Sequence, residues 1–208
     1  GKALSGRDIW CVPEGWPNAM APAFKLQARV LVYVQNWIYL LTTLPPKVRW
    51  KQLSVKHLSV SEPLPWFMRE VLELDSLSVL PPSVADCFFV AGPERAANER
   101  GEQTGEADDV TAGRPCGSKL VKIAWMPRKN KALASQMREV ALNVLARDGL
   151  SDKIEFVEIS GKSREEVAPL LAASDIFLSS GFPEGFALPP LEAMACGAIP
   201  VGFSGQGG

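Results

Sequence analysis

The sequence predicts an α/β protein built on parallel β-sheets. Short apolar runs with the length of buried strands recur along the chain, and connecting or helical segments separate them. A long polar stretch, residues 92–118, divides these runs into two groups. With 208 residues, of which 47% are hydrophobic, the chain is long enough to bury a sizeable core in one or two domains.

The first half contains four predicted strands and one predicted helix. We expect a buried first strand at residues 8–12, further strands at 30–34, 57–60 and 77–80, and a helix at 65–74. Ligands of open α/β sheets gather beyond the C-terminal ends of the strands. The polar residues at these ends could line one wall of a cleft, and each taken singly is better explained as a turn former or a helix cap: Glu14, Asn36, Ser61 and Glu62.

Residues 92–118 differ from both halves in composition. They are rich in charged residues and contain hardly any large apolar side chain, which is typical of a linker or a mobile loop. We therefore predict one domain at residues 1–91, a linker at 92–118 and a second domain at 119–208.

The second half has the clearer pattern. Strands are predicted at residues 120–126, 154–159 and 175–178, and Ser163 with Glu166 forms a capping box that begins a helix. Between the first two strands lies a helix that Gly149 ends. Its apolar residues have the spacing of one buried stripe: Leu133, Met137, Val140, Ala141, Val144 and Leu145.

The stretch from Gly181 to Gly197 organises this half, and it reads G-F-P-E-G-F-A-L-P-P-L-E-A-M-A-C-G. It follows a predicted strand, and a helix is expected to open near Pro189 and Pro190, because proline is tolerated in the first helical turn. Another strand is predicted at residues 198–201. The resulting βαβ unit points the free N–H groups of a helix N-terminus above the sheet, a geometry that suits a phosphate.

This motif resembles that of the nucleotide-sugar-dependent glycosyltransferases of the GT-B fold, especially the large retaining family that includes glycogen-synthase-like enzymes (glycosyl transferases group 1, family 4-like). Two glutamates, Glu184 and Glu192, stand eight residues apart within E-G-F-A-L-P-P-L-E-A-M-A-C-G. The spacing alone carries no weight, since Glu158 and Glu166 share it without the flanking residues. The resemblance covers residues 119–208 well and residues 8–90 loosely.

The resemblance implies roles for individual residues of the motif. Glu192 would accept hydrogen bonds from the ribose hydroxyls of the donor nucleotide, and Glu184 would face the donor sugar or its diphosphate. Ala187 stands where the family often has a second glycine. The backbone amides expected to cradle phosphate oxygens are those of Gly185, Phe186, Ala187 and Leu188.

A basic cluster, Arg128-Lys129-Asn130-Lys131, directly follows the first strand of this half. Cations aimed at a departing diphosphate lower the barrier to sugar transfer by stabilising the negative charge that develops there. In the resembling family an arginine and a lysine after this strand do so, with a longer spacing between them. Arg128 matches the arginine best, while Lys131 and Lys129 compete for the second role, and a solvated basic turn is the alternative.

No D-x-D triplet occurs in the chain, which argues against the glycosyltransferase design in which an aspartate-bound divalent metal holds the diphosphate. We expect no metal and no cofactor beyond the nucleoside-diphosphate sugar itself. By the resemblance, the reaction would transfer the sugar to a hydroxyl of a saccharide or glycan acceptor with retention of anomeric configuration.

The resemblance also implies a domain arrangement. Two Rossmann-like domains with parallel sheets would face each other across a cleft, the first binding the acceptor and the second binding the donor. Residues 1–91 correspond to the later part of the first domain, and residues 119–208 to the second domain without its last helices. We therefore expect the sequence to be a fragment.

Composition limits the partners and the compartment. A formal net charge of -1 gives no reason to expect nucleic acid as a partner. The four cysteines lack metal-binding spacing, and Cys11 and Cys196 adjoin apolar runs, which favours reduced, buried thiols in a cytoplasmic protein. Residues 30–44 are too short and polar to span a bilayer. Peripheral attachment to the inner face of a membrane and the oligomeric state are left open.

Other functions fit the sequence less well. A nucleotide-sugar-binding module without catalysis, or a truncated pseudoenzyme, would keep the same motif, and an acceptor assay separates these from an enzyme. A sugar-nucleotide epimerase or a phosphorylase could share the fold, but the second half has no histidine and the chain is short for a phosphorylase. His57, the single histidine, is assigned a structural role. No G-x-G-x-x-G follows a strand, which disfavours a dinucleotide-dependent oxidoreductase.

Overall fold

The computed structural model of the protein describes residues 4–89, 120–128 and 130–205, and these residues form two compact units. The first unit contains residues 4–83, 182–187 and 204–205, and the second contains the remaining described residues. The predicted linker at 92–118 lies outside the described residues, and the domain bounds inferred from the sequence stay a prediction.

The first unit is built on a sheet of four parallel strands in the order β1-β2-β3-β4. Its strands are β1 (Ile9–Pro13), β2 (Arg29–Val34), β3 (Val55–Ser59) and β4 (Ser76–Val79). The helices are α1 (Ala21–Lys25), α2 (Trp37–Thr42) and α3 (Pro63–Leu72), with short 3-10 helices at Pro17–Met20 and Trp50–Gln52. Strands therefore form at all four places where the sequence predicts them.

The core of the first unit centres on β2, whose alternate residues Val30, Val32 and Val34 are all buried. The strand has a neighbour on either side, β1 and β3, and its buried valines belong to one core cluster that also includes Leu40 and Leu64. Trp50 is buried with them and donates its indole N–H to the carbonyl oxygen of Leu40 at 2.9 Å. His57 packs edge-on against Trp50, with ring centroids 5.9 Å apart. Burial lowers its pKa because the charged imidazolium would be poorly solvated there.

The prediction of a buried first strand is wrong. Ile9, Trp10 and Cys11 are exposed, and only Val12 of the predicted segment is buried. The cause is the place of β1 in the sheet: β1 stands at one end of the strand order, with β2 as its neighbour. The expectation that Cys11 is a buried thiol is wrong for the same reason.

The second unit also has four parallel strands, in the order β6-β5-β7-β8. Its strands are β5 (Val121–Trp125), β6 (Ile154–Glu158), β7 (Ile176–Ser179) and β8 (Ile199–Gly202), and its main helices are α4 (Lys131–Arg147), α5 (Arg164–Ala172) and α6 (Leu188–Ala195). The chain goes from β5 to β6 on one side and returns to β7 on the other. The loops after β5 and β7 therefore leave from the point where the direction of winding reverses, the usual ligand crevice of such sheets.

Local signals at the helix ends of this unit are confirmed, whereas the stripe on α4 is only partly buried. The Ser163 hydroxyl accepts a hydrogen bond from the Glu166 amide, and the Glu166 carboxylate accepts one from the Ser163 amide at 2.8 Å. Val140 and Val144 of the predicted stripe are exposed. The stripe residues spaced four apart along the helix are half-buried: Leu133, Met137, Ala141 and Leu145. Val140 and Val144 lie beside this row on the helix surface.

Candidate functional site

The motif predicted from the sequence forms a loop followed by a helix. Strand β7 ends at Ser179 and helix α6 begins at Leu188, so Pro189 and Pro190 lie in the first helical turn as expected. Residues 182–187, here called the motif loop, belong to the first unit, and α6 belongs to the second. The Phe182–Pro183 peptide bond in the loop is cis.

Gly185 is held against the chain that follows β2. A Cβ atom placed on this residue would lie 1.9 Å from the carbonyl oxygen of Gln35 and 2.7 Å from its carbonyl carbon. Real Cβ atoms do not approach backbone so closely, so only glycine fits. On another side, the Ser61 hydroxyl donates a hydrogen bond to the Gly185 carbonyl oxygen. The loop backbone is thus fixed by the segments that follow β2 and β3.

Asn36 connects the motif loop to helix α2. Its Nδ2 donates to the carbonyl oxygen of Pro183 at 3.0 Å, while its Oδ1 accepts from the Ile38 amide at 3.1 Å and caps α2. The Asn36 amide in turn donates to Glu14 Oε1 at 2.7 Å. One side chain therefore begins a helix and supports the loop at the same time.

The two strand-end carboxylates of the first unit occupy different environments. Glu14 is only 1% exposed, and burial raises its pKa, although backbone N–H donors oppose the shift. Its buried carboxylate accepts the hydrogen bond from the Asn36 amide. Glu62 is exposed and its side chain makes no capping hydrogen bond at the start of α3. Contact of either residue with an acceptor stays a prediction.

The motif loop is closely packed from a second direction by Gly205. Glu184 is 6% exposed and Ala187 is buried as well. Gly205 has a φ of +91°, and a Cβ atom there would lie 3.0 Å from Glu184 Cβ and 3.2 Å from Ala187 Cβ. The described non-glycine residues with positive φ are Gln27, Lys47 and Glu73. Ala187 is thus accommodated without the backbone conformation that favours glycine.

A pocket of about 400 Å³ opens beside the motif loop within the first unit. Its walls come from the start of α2, the first turns of α3 and the loop itself. Two of its rings, Trp37 and Phe67, contact each other with centroids 5.2 Å apart and planes tilted by 50°. The lining residues are Trp37, Ser61, Pro63, Leu64, Trp66, Phe67, Glu184 and Gly185.

The basic residues of the second unit lie where the sequence predicts them along the chain. Arg128 is exposed in the segment after β5, and Lys131 is exposed as the first residue of α4. Asn130 between them caps α4, with its side chain accepting from the Leu133 amide at 3.4 Å. Lys129 lies outside the described residues. Both described cations are therefore at the C-terminal end of β5, beside the ligand crevice expected for this sheet.

Glu192 is half-buried on α6, and the structure places it in a different unit from Glu184. Burial raises its pKa, while the positive charge of Arg164 opposes the shift. Of the residues expected to offer amides, Gly185, Phe186 and Ala187 lie in the motif loop, and Leu188 opens α6. Phe186 also packs against the core of the first unit.

Sequence analysis missed several residues that shape this site. It did not identify the Gln35 carbonyl that faces Gly185, the Gly205 contact with the loop, or Arg164 as the charge near Glu192. It also did not identify the rings of Trp37 and Trp66 in the pocket wall. Arg164 had a usable signal, because it immediately follows the cap residue Ser163. The backbone carbonyl of Gln35 had none.

Two negative findings apply to the described ranges. No three His, Cys, Asp or Glu side chains there come together as a metal-ligand cluster. None of the helices found there combines the length and the apolar character that crossing a membrane requires. Metal independence and cellular location stay predictions.

Solved glycosyltransferase structures share this fold. A glycosyltransferase from Rickettsia africae ESF-5 matches with a TM-score of 0.53 and 14% identity over 93% of this chain and 56% of that one. The catalytic domain of starch synthase IV from Arabidopsis thaliana, bound to ADP and acarbose, matches with a TM-score of 0.53 and 13% identity, over 93% and 56% of the two chains. Sucrose-phosphate synthase from Thermosynechococcus elongatus has a TM-score of 0.51 and 12% identity, over 92% and 55%.

The fold is therefore of the GT-B class, as predicted. In sequence, residues 127–208 match the model of the family Glycosyl transferases group 1. Over 86 residues, the chain is also 35% identical to an "Alpha-1,6-glucosyltransferase" of Actinobacillus pleuropneumoniae serotype 7 (strain AP76). The chain spans 25% of the length of this curated relative and about 56% of the first two solved chains.

Proposed function

We propose that this chain is part of a glycosyltransferase that moves a sugar from a nucleoside-diphosphate sugar to a hydroxyl of a saccharide or glycan acceptor. The observation that carries the proposal is the motif from Glu184 to Gly197, realised as a closely packed loop that runs into a helix after β7. The family match over residues 127–208 supports it. The name of the curated relative makes glucose the first donor sugar to test.

In this proposal the second unit binds the donor. Glu192 accepts hydrogen bonds from the ribose hydroxyls, and the amides at the start of α6 receive phosphate oxygens, because the N-terminus of a helix carries free N–H groups and partial positive charge. Arg128 and a lysine, Lys131 or Lys129, neutralise the charge that builds on the diphosphate. The acceptor hydroxyl oxygen forms a bond to the anomeric carbon, the bond from that carbon to the phosphate oxygen breaks, and the hydroxyl proton passes to the departing diphosphate.

The half-buried state of Glu192 fits a carboxylate that a ligand covers. Its raised pKa has burial as its first cause, so a hydrogen-bond donor that approaches the carboxylate would stabilise the charged form. Ribose hydroxyls are such donors. Retention of anomeric configuration and independence from metal ions are further parts of the proposal. They rest on the family resemblance and on the absence of a D-x-D triplet from the sequence.

The first experiment is a thermal unfolding series with a panel of nucleoside diphosphates. A ligand present at about a hundred times its dissociation constant adds about 2.7 kcal/mol to the free energy of unfolding. We expect one diphosphate to stabilise the wild-type protein and to lose most of this effect in Glu192→Ala. Glu165→Ala is the matched control, since it removes an exposed carboxylate from the same unit. A Glu192→Ala protein that is stabilised as strongly as the wild type contradicts the proposal.

A non-catalytic nucleotide-sugar-binding module would pass that test, so turnover needs its own assay. The complete polypeptide that contains this chain is incubated with the donor selected above and a saccharide acceptor, with and without EDTA. We expect transfer in both conditions and a product with the anomeric configuration of the donor, read by NMR. Binding without transfer identifies a module, and loss of transfer with EDTA overturns metal independence.

A further inference from the structure

The chemistry of the pocket beside the motif loop points to a ligand. It shares Glu184 and Gly185 with the motif loop, so whatever fills it lies against the loop that carries the first motif glutamate. Its volume of about 400 Å³ is in the range of small-molecule sites, roughly 300–1,000 Å³. Because all of its lining residues belong to the first unit, that unit alone defines its shape.

Most of the pocket wall is apolar. Trp37, Trp66 and Phe67 contribute aromatic rings, and Pro63 and Leu64 contribute aliphatic surface. These residues lie at the start of α2 and in the first turns of α3, where a Pro-Leu-Pro-Trp-Phe run brings them together. The wall thus offers a ligand dispersion contacts and removal from water.

The wall offers few polar groups. The Ser61 hydroxyl donates to the carbonyl oxygen of Gly185. Among the described residues, the buried indole N–H of Trp37 has no hydrogen-bond partner, and the wall also includes Glu184, which is 6% exposed. A sugar enclosed here would bury more hydroxyl groups than these few side chains can satisfy, which is unfavourable, whereas a hydrocarbon group has no hydroxyl to leave without a partner.

Trp66 is the exposed part of this wall. It is 60% exposed, although it lies beside the tilted pair of Trp37 and Phe67. A large indole left in water at the mouth of an apolar pocket marks a place where apolar surface is covered on binding. Its exposure also makes it a suitable position for a test, because its removal disturbs the core little.

We propose that this pocket binds a hydrocarbon group attached to the saccharide acceptor, so that the acceptor is an amphipathic glycoside rather than a free sugar. The inference rests on the proposed function, since it assigns the occupant to the acceptor of the transfer reaction. The saccharide carries the attacking hydroxyl, and the hydrocarbon group anchors it against Trp66, Trp37 and Phe67.

The test uses two glucosides that differ only in the aglycone. n-Octyl β-D-glucopyranoside, kept below its critical micelle concentration, and methyl β-D-glucopyranoside are titrated into the full chain by isothermal calorimetry. We expect the octyl glucoside to bind at least ten-fold more tightly. Trp66→Ala should lower that affinity at least five-fold, and Trp66→Phe, which keeps an apolar ring, should recover most of it. Trp16→Ala removes another highly exposed indole, 71% exposed, and should leave the affinity unchanged.

Three results would overturn the inference. Equal affinities for the two glucosides indicate a site that reads the sugar. An octyl affinity that Trp66→Ala does not change indicates detergent adsorbed elsewhere, as does an equal loss in Trp16→Ala. The nucleoside diphosphate series, run on the same preparations, separates this failure from that of the proposed function. If a nucleoside diphosphate stabilises the protein but the octyl glucoside does not bind, only the inference about the pocket is wrong. If the octyl glucoside binds but no diphosphate stabilises the protein, the bound hydrocarbon group cannot be assigned to a glycosyl acceptor.

Discussion

Gly185 illustrates how a single residue determines the shape of the motif loop. The Gln35 carbonyl group occupies the space that any side chain would need, and backbone atoms cannot move aside as a flexible side chain can. The Gly185 carbonyl is also engaged by the Ser61 hydroxyl. The residue is therefore required for its lack of a Cβ atom, and the loop would have to move away from the Gln35 backbone to accept one.

We expect Gly185→Ala to destabilise the first unit by about 1–3 kcal/mol, the usual cost of overpacking. The same substitution should weaken any ligand binding that depends on the position of Glu184. The measurement is the free energy of urea unfolding, followed by tryptophan fluorescence. Gly15→Ala is the matched control, because a Cβ atom there would meet only Tyr39 Cδ2 at 3.9 Å. Equal stability of the two variants would contradict the close approach.

At this scale the sequence predicted residue identities better than contacts. Glu184, Gly185 and Glu192 stood out because the motif is long and contiguous. The partner of Gly185 did not, since Gln35 acts through a backbone carbonyl that every residue possesses, and it lies 150 positions earlier. Glu14 and Asn36 were chosen as possible ligand contacts, and the structure shows them supporting the loop from behind.

Among the secondary structure elements, the two helices capped by asparagine form a natural pair. Asn36 caps α2 and Asn130 caps α4 with equivalent side-chain hydrogen bonds. Within the part of the chain that the structure describes, Asn36 alone of the two makes a further side-chain hydrogen bond, from Nδ2 to the Pro183 carbonyl. The start of α2 therefore carries a function in loop support that the start of α4 does not show.

We expect Asn36→Ala to lower the free energy of unfolding more than Asn130→Ala does. Loss of a cap costs about 0.5–2 kcal/mol, and the lost bond to Pro183 adds about 0.5–1.5 kcal/mol in Asn36→Ala alone. Chemical unfolding of both variants, followed by circular dichroism, measures the difference. A larger loss in Asn130→Ala would show that the Pro183 bond contributes nothing.

Element types were predictable because strands and helices leave local patterns in the sequence, and all eight observed strands lie at predicted apolar runs within two residues. Burial was less predictable. The run that forms β1 is as apolar as a buried strand, yet its exposure depends on its place at the end of the strand order. That order arises from contacts between distant segments. The exposed Val140 and Val144 have the same origin, since periodicity does not give the width of the covered face.

In the molecule as a whole, each of the two cores is built from segments that are not contiguous in the sequence. Residues 84–89 belong to the second unit, and Phe88, 1% exposed, lies in its core with Leu171, Phe177 and Cys196. The Cys196 thiol donates to the Phe88 carbonyl oxygen at 3.4 Å. A stretch of chain that precedes residue 92 therefore completes the second core.

We expect Phe88→Ala to destabilise the second unit by about 3–5 kcal/mol, as large-to-small changes at buried phenylalanines do. Phe89→Ala, at a neighbouring side chain that is 55% exposed, should change stability by about 0.5 kcal/mol or less. If Phe89→Ala proves as damaging as Phe88→Ala, the second core does not depend on this segment in the way described.

The reactivity of the Cys196 thiol reports whether the Phe88→Ala substitution loosens the second core. Burial raises the pKa of its thiol to about 11, so roughly one molecule in ten thousand carries the reactive thiolate at neutral pH. Labelling of Cys196 by a thiol reagent, followed by peptide mass spectrometry, should accelerate in Phe88→Ala and not in Phe89→Ala. The exposed Cys11 reacts in every variant and serves as the internal standard.

The division of the motif between the two units has a consequence for recombination among related proteins. A crossover placed anywhere in residues 90–119 would join the motif loop of one parent to the Gln35, Asn36 and Ser61 of another. The side chains of Asn36 and Ser61 and residues 182–187 must therefore be inherited together, even though about 120 residues of chain lie between Ser61 and the loop. Chimaeras built from related sequences should keep the motif loop in position only when the loop and the side chains that hold it come from the same parent.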